Sequence, residues 1–317
     1  MTSISSTSRN TVNTDSNTVA SDKAANTTKP DLSKTPTLDP YSKSSFEMAS
    51  VKTVDTFANR PVASHPSPDQ LKSDFHGLKP GTPSANQTGQ INNAADMAQY
   101  VFAGYNGGKY GPVSIAPATI HQGGKDKQAY LVGISGTEGV PNQSTGWITN
   151  FKAGFMVNNP GLRNAKDAIF RSVPEGSNLV LAGHSQGGMI AQQLAADPDI
   201  KKHYNVVDTE TFGSPLVNAG QREGEVHRIA ARLDPVPQLS AQSVMLMPWA
   251  RVGQQNVGTD SLNGITTHNN AYVNPQNSGM TAMDALGRQS PKERATITFD
   301  PNDRTFFTSP TKTKAPY

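Results

Sequence analysis

One pentapeptide in this chain has the residue types and spacing of a nucleophile. Gly183-His184-Ser185-Gln186-Gly187 sets a serine between glycines, directly after the apolar run Leu179-Val180-Leu181-Ala182. This is the nucleophile-elbow pattern, in which a serine stands on a sharp turn between a strand and a helix. Such a turn forces the serine backbone into an unfavourable region and brings its neighbours close, so those neighbours are glycines. The pattern gains weight from its surroundings. Four apolar residues suit a buried parallel strand. Behind the serine, Ile190 with Leu194 and Ala191 with Ala195 recur at helical spacing.

A serine hydroxyl is a poor nucleophile at neutral pH. It needs a histidine to take its proton and a carboxylate to orient that histidine. Where the serine sits on an elbow, the chain order is serine, acid, histidine. Downstream, Asp234 follows the strand-like run Val226–Leu233 and precedes Pro235-Val236-Pro237. An acid just past the carboxyl end of a parallel strand lies on the sheet edge that also carries the elbow serine. Asp208 and Glu210 fall inside an expected strand, and Asp260 and Asp284 have no strand before them. Of the seven histidines, only His268 follows Asp234; it is expected in a polar loop, Thr266–Tyr272. His184 is expected as an elbow neighbour whose side chain alternates away from that of the serine. The reading is therefore Ser185 as nucleophile, Asp234 as orienting acid and His268 as base. The oxyanion hole needs two donors: the backbone N–H of Gln186, just after the nucleophile, and Thr137, which follows the strand ending in Ser135-Gly136.

The elements that must position these groups are legible in outline. Ala94, Met97, Ala98, Val101 and Phe102 mark a helix ending at Gly104, and Gln128–Ile134 a strand. Trp147–Phe155 reads as a helix or an apolar loop. Leu162, Ala165, Ile169 and Val173 mark a helix closed by Pro174 and Gly176. The elbow helix should end near Asp197-Pro198, followed by strands Val206–Phe212 and Val226–Leu233. Beyond Asp234 the pattern weakens, with a short helix at Ala282–Leu286, an edge strand or docked extension at 295–300 and a frayed stretch from Pro310. Strands alternating with helices argue for an α/β domain whose mostly parallel sheet is covered on both faces.

Hydrophobic residues make up 34% of the 317, and the mean hydropathy is −0.53, low for a chain folded throughout. The deficit lies at the N-terminus, where Ser and Thr fill 20 of the first 50 positions. Such a segment cannot bury enough apolar surface to offset its chain entropy. The expected organisation is a disordered region over 1–85, an α/β domain over 86–300 and a tail over 301–317. The net charge of +3 is dispersed, which argues against nucleic acid as a partner. With no cysteine, thiolate chemistry is excluded. No metal-ligand spacing or phosphate-binding glycine loop is present, so no cofactor or metal is expected. No basic region followed by an apolar one opens the chain, and no run approaches the roughly 18 apolar residues of a membrane span.

Several segments together resemble the class 3 (fungal-type) lipase family of α/β-hydrolases. They are Leu131-Val132-Gly133-Ile134-Ser135-Gly136-Thr137, Gly146-Trp147-Ile148-Thr149-Asn150, Gly183 to Gly188, Thr211-Phe212-Gly213-Ser214-Pro215, Asp234-Pro235-Val236-Pro237, and His268 with Tyr272. The resemblance spans roughly residues 91–275. It implies an α/β-hydrolase fold and a serine hydrolase (lipase or phospholipase) that cleaves acyl esters of lipids at a membrane surface. It assigns Ser185, Asp234 and His268 to the triad and Gln186 and Thr137 to the oxyanion hole. The chain departs from the family at Ser135, where arginine is usual, at Asn150, where an acid is common, and in a longer stretch from Thr137 to Trp147. The polar N-terminus is similar to those of bacterial effectors delivered into host cells. That likeness implies secretion without a cleavable signal peptide, with an export chaperone or a host activator as partner; otherwise the protein is cytoplasmic. The alternatives are a soluble carboxylesterase and a non-catalytic hydrolase-fold module that binds a host or partner protein. Candidate walls for an acyl groove are Phe151, Phe155, Met156 and Val157 on one side and Val244–Trp249 on the other.

Overall fold

The computed structural model describes residues 60–71, 75, 77–106, 109–136, 160–240, 254–259, 261–277, 279–280 and 294–308. All of them fall in one compact unit, Val54–Tyr317. The expected features at Trp147–Phe155, Val244–Trp249 and Ala282–Leu286, the frayed stretch from Pro310, and residues 1–59 of the N-terminal region lie outside the described residues.

The unit is a mixed α/β structure built on a ten-stranded sheet. Its parallel part comprises β4 (Lys125–Ile134), β5 (Asn178–His184), β6 (Asn205–Phe212), β7 (Glu225–Ala231) and β8 (Gln254–Val257), hydrogen-bonded in that order. Its antiparallel part joins at β3 (Val113–Gln122), which forms a hairpin with β4. On its other edge β3 takes β10 (Thr305–Thr308) along Val113–Ile115 and β9 (Ala295–Phe299) along Ala118–Gln122. β1 (Val62–Ser64) then pairs with β10, and β2 (Gln90–Ile91) with β9.

Both faces of the sheet are covered, as strand alternation requires. Val180 and Ala182 of β5 point to the side holding α2 (Ala94–Phe102), in a cluster with Leu131, Phe212 and Tyr272. Leu179 and Leu181 point the other way, in a cluster with α3 (Pro160–Ser172), α4 (Gln186–Ala196) and the short α5 (Pro198–His203). A run of consecutive apolar residues in β5 is therefore what a strand buried on both sides needs. Within the described residues, the helices expected around Ala94–Phe102, around Leu162–Val173 and after Ser185, and the expected parallel strands, are present within one to three residues of their expected ends.

Three departures from the expected organisation bear on the fold. β3 contains Pro117, which ordinarily argues against an inner strand. Pro117 faces Tyr130 of β4, and on its other side it sits between the stretches taken by β10 and β9. No partner there requires an N–H. The second departure is the N-terminal boundary. The sheet starts at β1, and α1 (Ala85–Thr88) packs before β2, so the expected boundary at 85 falls inside the unit. Third, β10 lies within the stretch expected to be a tail. Arg304 explains both boundary shifts. It is wholly buried, donating to Asn86 Oδ1 at 2.6 Å, to Ser114 Oγ at 2.8 Å and to the Tyr100 carbonyl. Its guanidinium also lies 3.6 Å from the Tyr100 ring centre. Burial pushes its pKa down to about 10. One side chain thus ties β10 to α1, α2 and β3. Arg304→Met should lower the unfolding free energy by about 3 kcal/mol or more, because three buried acceptors lose their donor. A urea transition moved at constant slope would report it; a loss under about 1 kcal/mol would be inconsistent with this role.

Candidate active site

Ser185 joins β5 to α4 with φ 57° and ψ −123°, a region that costs a non-glycine residue about 1–3 kcal/mol. The surroundings hold it there. Its N–H donates to the Phe212 carbonyl of β6, and its own carbonyl accepts from Gly188 and Met189 of α4. The flanking glycines are required by contact. A Cβ on Gly183 would lie 2.3 Å from the Gly187 carbonyl oxygen, and one on Gly187 would lie 2.1 Å from that of Ile134. β5 and α4 thus cross with backbone on backbone, and the strain at the serine follows from that closeness.

The carboxyl ends of β4, β5 and β6 align here, Ile134 opposite Gly183 and His184 opposite Phe212. Asp234 follows β7 on the same edge, at 1% exposure. Three donors converge on it. Val236 N–H reaches Oδ1 at 2.8 Å, while His268 Nδ1 at 2.9 Å and the Tyr272 hydroxyl at 2.5 Å both reach Oδ2. The Tyr272 oxygen in turn accepts the Ala231 N–H at 2.9 Å. Burial, then the Asp234 charge, holds the Tyr272 hydroxyl well above the usual phenol range, so it remains a donor at any working pH. With Nδ1 donating to the carboxylate, the neutral His268 ring carries its lone pair on Nε2, where a base needs it. Tyr272→Phe should lower kcat by about 10- to 100-fold, the value of a hydrogen bond to a charged group. A kcat unchanged within twofold would remove Tyr272 from the site.

His268 does not stand in a loop. It lies in the last turn of α6 (Gly264–Asn270). The helix forms because the Asn263 side chain caps it, accepting from Ile265 and Thr266 N–H. The polar Thr266-Thr267-His268-Asn269-Asn270 string hides a one-sided helix in which Thr267 and His268 are buried.

The site residues expected from sequence divide as follows. Asp234 and His268 are in direct contact. Ser185 stands one residue beyond His184, whose ring lies 4.5 Å from that of His268. Gln186 is the first residue of α4, where helix amides face outward at the positive end of the dipole. Thr137, the other expected oxyanion donor, lies outside the described residues. Gly136, the residue before it, packs on Ser185: a Cβ there would lie 2.9 Å from Ser185 Cβ.

Two contributors escaped sequence reasoning. His184 sits on the α2 face of β5, on the same side as Val180 and Ala182. Tyr105, just past α2, makes a 2.6 Å hydrogen bond to its Nδ1. The period of two along β5 carried the direction of His184, but nothing in the sequence marked Tyr105. Among the described residues no group of three His, Asp or Glu side chains could hold a metal ion, and no helix is long and apolar enough to cross a membrane. A scan against protein-family models matches none, and searches of the curated proteins and of the solved structures return no match.

Proposed function

We propose that this protein is a serine hydrolase of the α/β-hydrolase type, similar to class 3 lipases, that cleaves acyl esters of lipids. The observation that carries the reading is the buried Asp234–His268 pair packed on the ring of His184, the residue just before a serine held at φ 57° between a strand and a helix. Backbone strain of this kind persists where the surroundings over-determine it, and it clusters at active sites.

The chemistry runs in two steps. His268 Nε2 takes the Ser185 proton as Oγ attacks the ester carbonyl, and Asp234 stabilises the imidazolium that forms. The Gln186 N–H stabilises the developing oxyanion, with Thr137 proposed as the second donor. His268 passes the proton to the departing alcohol oxygen, leaving an acyl-serine. Water, deprotonated by the same ring, then releases the carboxylic acid and restores the serine.

A lipid substrate is favoured over a soluble ester by what surrounds the triad. Leu233 precedes Asp234, and Leu262 and Ile265 flank the start of α6; they are 41%, 95% and 46% exposed. A Cβ on Gly264 would stand 3.0 Å from the Leu233 carbonyl oxygen, so the main chain at Leu233 meets the start of α6 between Leu262 and Ile265. Exposed apolar groups rimming a site suit a bilayer surface. The test is fatty-acid release from phospholipid and acylglycerol vesicles, compared with hydrolysis of a short soluble ester. Wild type should act on both and Ser185→Ala on neither. Leu262→Ser should lose about tenfold on vesicles, from the apolar area withdrawn from lipid, and retain the soluble reaction. Equal loss on both substrates would turn the reading to a carboxylesterase.

A further inference from the structure

A second histidine lies under the catalytic one, and the reaction does not use it. His184 is 2% exposed. Its ring packs against four aromatic groups: Phe102 at 4.4 Å, His268 at 4.5 Å, Tyr105 at 5.6 Å and Tyr272 at 5.7 Å between centroids. Both ring nitrogens are engaged. Nε2 lies 3.0 Å from the main-chain carbonyl oxygen of His268, and Nδ1 lies 2.6 Å from the Tyr105 hydroxyl. The Tyr105 oxygen also accepts the Gly136 N–H at 2.7 Å.

Only one set of donors satisfies all three contacts with a neutral ring. A carbonyl can only accept, so Nε2 carries the proton and donates to His268. Nδ1 then holds the lone pair and accepts from the Tyr105 hydroxyl, whose oxygen is left to accept from Gly136. The direction is therefore fixed from Gly136 through Tyr105 and His184 to the backbone of His268. The two ends of this chain are the two sides of the site. Gly136 is the backbone packed on Ser185, and His268 is the base.

We propose that Tyr105 and His184 are positioning residues that hold the β4 end at Ser185 and the main chain of His268 in register, through one directional hydrogen-bonded bridge. The proposal rests on the hydrolase reading for what the bridge serves; its geometry stands apart from that reading. The bridge works only while the His184 ring is neutral. A proton on Nδ1 would set a donor against the Tyr105 hydroxyl and a second imidazolium against His268 during turnover. Among the described residues, the titratable groups facing the ring are His268 and Tyr272 from the α6 side and Tyr105 from the end of α2; Asp234 lies behind the first two. Burial, then the nearby His268, keeps the imidazole well below its ordinary range, which agrees with a ring that never titrates during the reaction. Placing a nucleophile and its base demands this sort of support, since a 1 Å misplacement can cost about 100-fold in rate.

The test uses the full chain, with Tyr105→Phe, His184→Gln and the double variant, and kinetics on a soluble ester. His184→Gln keeps an N–H donor near the Nε2 position and removes the acceptor for Tyr105. Tyr105→Phe should lower kcat by about 10- to 100-fold with KM within about twofold, because the bridge acts on geometry rather than on substrate binding. The double variant should lose little more than the worse single one, because both cut one bridge. Nitrogen-15 NMR of wild type should find His184 neutral, with the proton on Nε2, from pH 5 to 8. Tyr105→Phe should leave the proton on Nε2, where the His268 carbonyl still requires it, and shift the Nδ1 resonance as its lone pair loses its donor. A wild-type ring that titrates in this range or carries its proton on Nδ1 overturns the bridge, even if every variant fails to fold. An active wild type with a Tyr105→Phe of equal kcat overturns the positioning role alone. A wild type inert toward every ester overturns the hydrolase reading and the positioning role with it, while the NMR result still decides the hydrogen-bond assignment.

Discussion

Ser185→Ala is expected to abolish ester hydrolysis, with kcat falling by about four to six orders of magnitude. Whatever rate survives comes from the oxyanion donors and substrate binding alone. The fold should be kept, because the elbow is set by backbone crossing at Gly183 and Gly187 and not by the hydroxyl. The same site yields a stability result of opposite sign. Ser185 holds φ 57°, which glycine adopts without penalty. Ser185→Gly should therefore be inactive and more stable than Ser185→Ala by about 1 kcal/mol, in denaturant unfolding monitored at constant slope. Should the glycine variant prove the less stable, strain at the nucleophile would be excluded. An alanine variant retaining a tenth of the activity would place the nucleophile elsewhere.

Asp234→Asn is expected to cost about 10⁴-fold in kcat while leaving the site assembled. Oδ2 accepts from both His268 Nδ1 and the Tyr272 hydroxyl. An amide nitrogen in that place would confront two donors. An amide oxygen there would restore both contacts but would leave the imidazolium without its counter-charge. In either orientation the base loses its orientation or its stabilisation, so kcat should fall with little change in KM. The loss should far exceed that of Tyr272→Phe, which leaves the carboxylate in place. A ranking in which the tyrosine variant is worse would mean that Asp234 acts through Tyr272 and not on His268. Measuring kcat and KM for the two variants on one soluble ester separates these cases.

The Asp234–His268 contact and the strained turn at Ser185 were more legible in the sequence than the outer strands. The strand, serine and helix were legible because close backbone crossing admits only glycine on either side of the elbow. Asp234 was legible because a parallel strand must deliver its next residue to the same edge. His268 was found by order in the chain, not by its local structure. Its neighbours are threonines and asparagines, which favour caps and turns, and the Asn263 cap that turns them into α6 is a short-range contact with no periodic signature. β3 was hidden by Pro117, harmless only because two different strands share its edge. The boundary at 85 was misplaced because composition averages over a window. β1 has three residues, and what anchors that region is the burial of Arg304 some two hundred residues away. The Tyr105–His184 bridge was out of reach for the same reason: it joins positions 79 apart in the chain.

The proposed hydrolysis turns on activation of Ser185 as a nucleophile by His268. A fluorophosphonate probe reads this directly, because it bonds covalently to an activated serine and requires no knowledge of the lipid substrate. Intact-mass and peptide mapping should find one adduct, on Ser185, formed rapidly in wild type, absent in Ser185→Ala and slowed by orders of magnitude in His268→Ala. No adduct on wild type, or an adduct on another residue, would contradict the account and leave a hydrolase-like module that binds a partner without catalysis.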